Sequence, residues 1–415
     1  MTKADKEGQR KAPILRFKGF TNDWEQRQLR EISSSTIGGG TPKSSNKKFW
    51  NGNIPWIQSS DLVNGDIWNI IIKKHITLDA VENSAAKIIS ANSIAVVTRV
   101  AVGKLVYMPL EYATSQDFIS FQNLSGDHSF FMYLVSKVMH KVKGSLQGTS
   151  IKGISKGELL KKKVIYTLNI KEQKKIGTLL KSLDTILTLY DRKLKLLSQV
   201  KKYFLDNLFA KKEYPNLRFK GFTDAWEQRK LENLSEHKGG TSIEKYFSSD
   251  GLYKVISIGS YGLNNEYIDQ GIRAVKNKTT ESKLVRSGQL TMVLNDKTAN
   301  GNLIGRCLLI SKDNEFIVNQ RTEIIIPGPD LNENYAYYYL NGPFRNKVKK
   351  IAQGGTQIYV NYSSVKRQKI NYPIKNEQIK ISKLLKIIKS LITLYENKQH
   401  HLTEIKKTLL NTMFI

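Results

Sequence analysis

The chain has 415 residues, enough to bury more than one core, so two domains is the starting expectation. Lys and Arg total 66 against 36 Asp and Glu, a formal charge of +30, which points to a polyanionic partner: nucleic acid first, an anionic membrane surface second. The plainer reading of that charge is a soluble protein from a lysine-rich proteome.

One cysteine, Cys307, excludes an internal disulfide and a cysteine zinc site, and no apolar run approaches the length of a membrane helix. The start "MTKADKEGQRKAP" is polar and is no signal peptide, so a cytoplasmic protein is expected, with residues 1–14 a disordered basic tail.

The first recognisable stretch, "LRFKGFTNDWEQRQL" at 15–29, returns as "LRFKGFTDAWEQRKL" at 217–231, an offset of 217 − 15 = 202 residues. Further on, "EQKKIGTLLKSLDTILTLY" from Glu172 returns as "EQIKISKLLKIIKSLITLY" from Glu377, an offset of 377 − 172 = 205. The near-constant offset identifies a tandem duplication and suggests a pseudo-twofold molecule built within one chain. The expected order is a first body (15–165), a long helix (166–212), a second body (213–371) and a second long helix (372–415).

Both bodies read as α+β. Short β-branched runs such as "SIAVVTRV" and "LYKVISI" are broken by Gly and Asn, and helical patterns such as "HSFFMYLVSKVMHKV" and "ENYAYYYLNGPFRNKVKKI" come late. Landmarks recur between them. "GGGTPKSSNKKFW" matches "KGGTSIEKYF". Gly103-Lys104 matches Gly305-Arg306, Gln116 matches Gln320, and Thr149 matches Thr356. Between landmarks the bodies barely resemble each other, as two related readers of different ligands would.

In the first long segment Ile176, Leu180, Leu183, Leu187, Tyr190, Leu194, Leu197, Phe204 and Leu208 follow alternating steps of four and three, with Lys201 filling one slot. The second repeats this with Ile381, Leu385, Ile388, Ile392, Tyr395, Leu402, Leu409 and Met413, Gln399 and Lys406 holding the other slots. This is a coiled-coil seam, and the two helices are expected to pair antiparallel as a spacer of roughly 57 Å. The alternative is that each helix covers its own body.

Catalytic motifs are not found. In "GGGTPKSS" Pro42 stands where a Walker loop needs Gly before its Lys. "NGPF" at 341–344 resembles the Asn-Pro-Pro-Phe/Tyr loop of adenine methyltransferases, but it carries Gly342 for the first Pro and reads as a turn between helical pieces. The six histidines lack ligand spacing, so no metal site is expected.

What remains suits phosphate contact and base reading, in which Arg and Lys favour guanine and Gln and Asn favour adenine. The first-body candidates are Thr41, Lys43, Ser44, Lys47 and Lys48 in the glycine loop, Gln58, Ser59, Ser60, Arg99, Lys104, Gln116, Gln147, Thr149 and Lys152. Those of the second body are Thr241, Lys245, Ser257, Asn295, Lys297, Arg306, Gln320, Arg321, Thr356, Gln357 and Tyr359. For any single lysine, a solvated surface is the competing reading.

The order of the opening motif, "GGTP", "IPWIQSSDL", "GTSIKGI", "EQKKI" and a long helix, then the same again, closely resembles the specificity subunit of type I restriction–modification systems. The second body departs from the pattern, with "YKVISIGS" in place of the Pro-Trp-Ile piece. The resemblance implies two target recognition domains, each reading half of a split double-stranded DNA target, and an antiparallel coiled coil setting the gap. It further implies two methyltransferase subunits carrying S-adenosylmethionine, and two restriction subunits using ATP and Mg2+. The chain itself would be non-catalytic and bind no cofactor. A tandem nucleic-acid-binding scaffold without methylation partners is the alternative.

Overall fold

The computed structural model describes residues 12–146, 153–297 and 300–415; most of the basic tail, and the candidates Gln147, Thr149 and Lys152, lie outside the described residues. Two compact units form, one from residues 1–191 with 397–415, the other from residues 192–396. Among the described residues no helix is long and apolar enough to cross a membrane.

In the first unit an antiparallel sheet runs in the order Ser33–Gly38, Phe118–Leu124, Ser93–Val97, Leu105–Met108. Its Ser93–Val97 strand, "SIAVV", is buried on both faces: Ile94 and Val96 join one core, Ala95 and Val97 another. That is why the strand reads as a continuous apolar run rather than an alternating one. A second sheet holds Lys74–Ile76, Trp50–Ile57 and Ala113–Thr114, the last pair parallel. The second unit repeats the plan. Ser235–Gly239, Thr322–Pro327, Leu290–Val293 and Cys307–Leu309 make the first sheet, and Tyr253–Ile256 pairs in parallel with Phe316–Val318 in the other. The two bodies are therefore α+β and share one frame.

The opening motif and the "EQ" at each helix start explain each other. Arg16 forms a bidentate bond to Glu172, with Nε–Oε1 2.5 Å and Nη2–Oε2 2.9 Å, and Glu172 is fully buried. Arg218 holds Glu377 in the same way at 2.9 and 2.8 Å. The neighbouring glutamine reaches a second helix. Gln173 Oε1 accepts from the Asp127 backbone N–H, and Asp127 in turn caps helix His128–Leu146 through the Phe130 N–H. In the second unit Gln378 accepts from Asn332, which caps Glu333–Tyr339 through Tyr335. The phenylalanines of "FKGF" are covered by lysines of the same long helices: Lys175 lies 5.2 Å from the Phe20 ring and Lys380 4.8 Å from that of Phe222. The repeated motif is thus the clasp between a body and its helix.

The long helices run Ile170–Asn207 and Lys375–Met413. Within each unit they lie antiparallel: in the first, Asp191 meets Gln399 and Asp184 meets Lys406; in the second, Lys193 lies over the Tyr395 ring at 4.3 Å. The seam needs one correction. Ile176, Leu180 and Leu183 are buried in the core of the first body, and Ile381 and Leu385 in that of the second, with Ile388 also buried. Leu187, Tyr190, Leu194 and Leu197, like Ile392, Tyr395 and Leu402, are half-buried. The early turns of each helix cover a body, as the competing reading had it, and the later turns form the seam. Leu208 and Met413 leave the seam as well and enter body cores. There Phe209 packs on Tyr335 and Tyr339, and Phe414 on Trp24 and Phe130.

Asn341 of "NGPF" sits at a kink between two helical pieces, where Gly342 leaves helical geometry (φ −105°, ψ −111°). The Asn341 side chain is bound to both the N–H and the carbonyl of Cys307, at 2.9 and 3.0 Å, which makes it a structural splice.

Breaking the clasp should be costly because it strands a buried carboxylate. Arg16→Ala is expected to destabilise the first unit by about 3–5 kcal/mol, whereas replacing both partners by Met and Leu should cost far less. Denaturant unfolding with a reporter in each unit measures this. A loss within about 0.5 kcal/mol, the range of ordinary surface changes, would contradict the clasp.

Candidate nucleic-acid interface

The glycine loop is held down by its own body. A Cβ on Gly39 would lie 2.0 Å from Thr114 Oγ1, and one on Gly40 1.9 Å from the Ala85 carbonyl. On Gly240 it would meet the Asn319 carbonyl at 2.0 Å. The glycines are there because two backbones approach closely. What the loop presents outward are Lys43, Ser44, Lys47 and Lys48, all exposed.

The structure brings Thr41 and Gln116 together, the Thr41 hydroxyl donating to Gln116 Oε1. The second loop makes the same junction differently. Glu244 Oε1 accepts from Asn319 Nδ2 and Gln320 Nε2, both at 2.9 Å. Hydrogen bonds from Ser242 and then Asn319 push the Glu244 pKa down to about 2. Thr241 and Lys245 stand exposed beside it, with Lys245 4.9 Å from the Tyr246 ring.

A second cluster lies where a strand end meets a late loop. Asn295 pairs with Tyr359 across a short antiparallel ladder, and Gln353 to Tyr359 form the turn that presents Thr356 and Gln357. Lys297 follows, exposed. The Arg321 carbonyl accepts from Leu294 at 2.9 Å, which places Arg321 beside this ladder with φ +67°. In the first unit Arg99 bridges Gly153, and Asp117 bonds Thr98 as Arg321 bonds Leu294. By this bonding Arg99 is the counterpart of Asn295, and Arg321 that of Asp117. The match of Asp117 with Arg321 continues that of Gln116 with Gln320, whereas sequence comparison missed the match of Arg99 with Asn295 because it depends on backbone pairing. It also missed Val100 and Ala101, whose φ values of +42° and +71° raise an exposed knuckle beside Arg99.

Two candidates are otherwise committed. Lys104 Nζ donates to the Leu62 carbonyl at 2.9 Å. Arg306 donates to the carbonyls of Asn302 and Leu263, both at 2.7 Å, and to Asn265, and burial lowers its pKa. At matched positions these cations tie the loop after the second strand segment to the sheet. Gln58 and Ser257 likewise cap the short 3-10 turns Ser59–Asp61 and Ile258–Ser260; of the turn candidates Ser60 is exposed and Ser59 half-buried.

Two α+β bodies on one frame, each clasped to a long helix and presenting basic and amide side chains on loops, define a duplicated recognition protein. The chain belongs to the family described as the type I restriction modification DNA specificity domain, which matches residues 21–199 and again 223–404. It is 26% identical over 241 residues to the type I restriction enzyme MjaIX specificity subunit of Methanocaldococcus jannaschii, covering 55% of this chain and 56% of that protein. Over 213 residues it is 30% identical to the EcoR124I/EcoR124II specificity subunit of Escherichia coli, covering 48% and 50%. The match thus spans about half the length of these curated relatives. In fold it is similar to the crystal structure of a type I restriction-modification S subunit from M. genitalium, with TM-score 0.62 and 14% identity over 97% of this chain and 99% of that one. A structure described as the basis of complex assembly and conformational transition of the type I R-M system aligns at TM-score 0.54 and 13% identity, over 96% and 98%.

Lys104→Met and Arg306→Leu should free the loops they tie. Amide hydrogen exchange is expected to rise tenfold or more, or by about 1.4 kcal/mol in local opening, at residues 62–66 and 263–266 respectively. Unchanged exchange would show that the loops are held by other contacts.

Proposed function

We propose that this chain is the DNA-specificity subunit of a type I restriction–modification enzyme. Each body reads one half of a bipartite, asymmetric double-stranded DNA target, and the paired helices set the non-specific gap between the halves. The observation that carries this reading is one frame used twice with unlike presented residues: Arg99 in the first body stands where Asn295 stands in the second. Arginine prefers guanine and asparagine adenine, so equivalent places would read different bases. The net charge of +30 supplies the phosphate attraction, which carries affinity and its salt dependence without sequence information.

The partners proposed are two methyltransferase subunits carrying S-adenosylmethionine and two restriction subunits using ATP and Mg2+. The chain would bind no cofactor and perform no catalysis. Its role is to fix where the methyltransferase flips an adenine out of the duplex.

The purified chain is expected to neither methylate nor cleave DNA. Mixed with its methyltransferase partner it should methylate an asymmetric split site, and a palindromic methylated site would contradict two unlike readers. In the same assembly Arg99→Ala and Asn295→Ala should each weaken specific binding by about 1–3 kcal/mol while leaving random-duplex binding nearly unchanged. Equal losses on both duplexes would make that residue a phosphate contact.

A further inference from the structure

Helix positions 184 and 389 are equivalent by the 205-residue offset (389 − 184 = 205), yet they carry opposite charges. In the first unit Asp184 Oδ2 accepts from the Tyr133 hydroxyl at 2.6 Å and from Trp68 Nε1 at 3.2 Å, while its other oxygen pairs with Lys406. Lys181 covers the Trp68 ring at 4.4 Å. In the second unit Lys389 donates to the Tyr337 hydroxyl at 3.2 Å and pairs with Glu266 at 3.0 Å. Lys201, the counterpart of Lys406 (406 − 201 = 205), is half-buried within the field of Lys389, Glu266 and Glu396. Each site takes a tyrosine from the inner helix, but at positions one residue apart: with the caps Asp127 and Asn332 in register, Tyr133 matches Tyr338 rather than Tyr337. Trp68 and Glu266 both come from the divergent interior of a body, on the loops that Lys104 and Arg306 tie down at Leu62 and Leu263.

We propose that Asp184 and Lys389 are keys that assign each body to its own half of the helical pair. Natural pairing sets one carboxylate against Lys406 in the first half, and Glu266 of the body, with Glu396 of the second helix, against Lys389 and Lys201 in the second. Transposing the bodies breaks both balances. Glu266 would enter the site of Asp184, so that two carboxylates share Lys406. Trp68 would face Lys389 and Lys201 with no carboxylate from the body. Uncompensated charge at a half-buried place is costly, and like charges there disfavour the wrong partner more than the right one gains. The first key is the more stringent, because Asp184 and Lys406 are only 15% and 19% exposed, whereas Glu266 is 45% exposed. These are positioning residues: they orient the body on its helix and touch no ligand.

The test needs no DNA, so it stands apart from the proposed function. In the full chain, residues 33–154 are replaced by residues 235–360, giving both halves the second body. Unfolding of each unit is then followed by heating, with and without Asp184→Lys. That single substitution recreates the Lys389–Lys201–Glu266 set in the first half. It should raise the melting temperature of the first unit in the chimera by about 3 °C or more, and lower it by a similar amount in the natural chain. A structural residue without a keying role would give the same sign in both. If Asp184→Lys lowers or leaves unchanged the melting temperature of the chimera, the proposal is wrong. Should the chimera fail to fold, a charge-reversal cycle in the natural chain decides. Glu266→Lys and Lys389→Glu should each lower the melting of the second unit, and the double substitution should recover most of the loss. Simple additivity of the two losses would overturn the proposal.

Discussion

Everything in this fold hangs on one interaction made twice: an arginine of the opening motif gripping a buried glutamate at the start of a long helix. Glu172 and Glu377 are fully buried, and each is answered by a bidentate guanidinium, Arg16 or Arg218. A buried carboxylate without that fork would cost several kcal/mol, so the clasp ties each body to the first turns of its helix. Arginine is the residue for this task, since its planar fork matches both carboxylate oxygens and stays charged when desolvated.

The rest of the architecture is arranged around the clasp. The adjacent glutamine fixes the cap of an inner helix, and the second phenylalanine of "FKGF" is roofed by a lysine three residues past the glutamate on the same long helix. The Leu15 N–H bonds the Thr412 carbonyl at 2.9 Å, and the Leu217 N–H bonds the Asn207 carbonyl at the same distance. Each body therefore receives the end of one long helix and launches the beginning of the other. Polar slots in the seam have assigned partners, Asp191 with Gln399 and Asp184 with Lys406, and such pairs fix register where aliphatic contacts alone would slide.

The duplication, the α+β bodies and the long helices were legible in the sequence because repeats and heptads are one-dimensional signals. The division of the seam was not. Ile176 and Leu187 occupy the same periodic stripe, and only the fold decides that the first faces a body and the second a partner helix. Binding residues were the least legible. Lys104 and Arg306 look free in sequence, and their cationic groups are tied to backbone carbonyls. That Gly39, Gly40 and Gly240 meet neighbouring backbone too closely for any side chain is likewise visible only in the fold. The correspondence of Arg99 with Asn295 required strand pairing, which no alignment of unlike side chains supplies.

The claim that the paired helices act as a ruler between two readers is tested most directly by changing their length. Four residues inserted near Ser198, between Leu197 and Lys201, add about 6 Å and a net turn of about 40°, a stutter that a coiled coil absorbs by local unwinding. One base pair rises about 3.4 Å and turns about 35°. Mapping of N6-methyladenine in DNA from cells carrying the insertion should show the same two half-sites separated by one or two additional base pairs. Full methylation at the original spacing would mean that the helices do not set the gap, and the two-reader ruler would have to be given up.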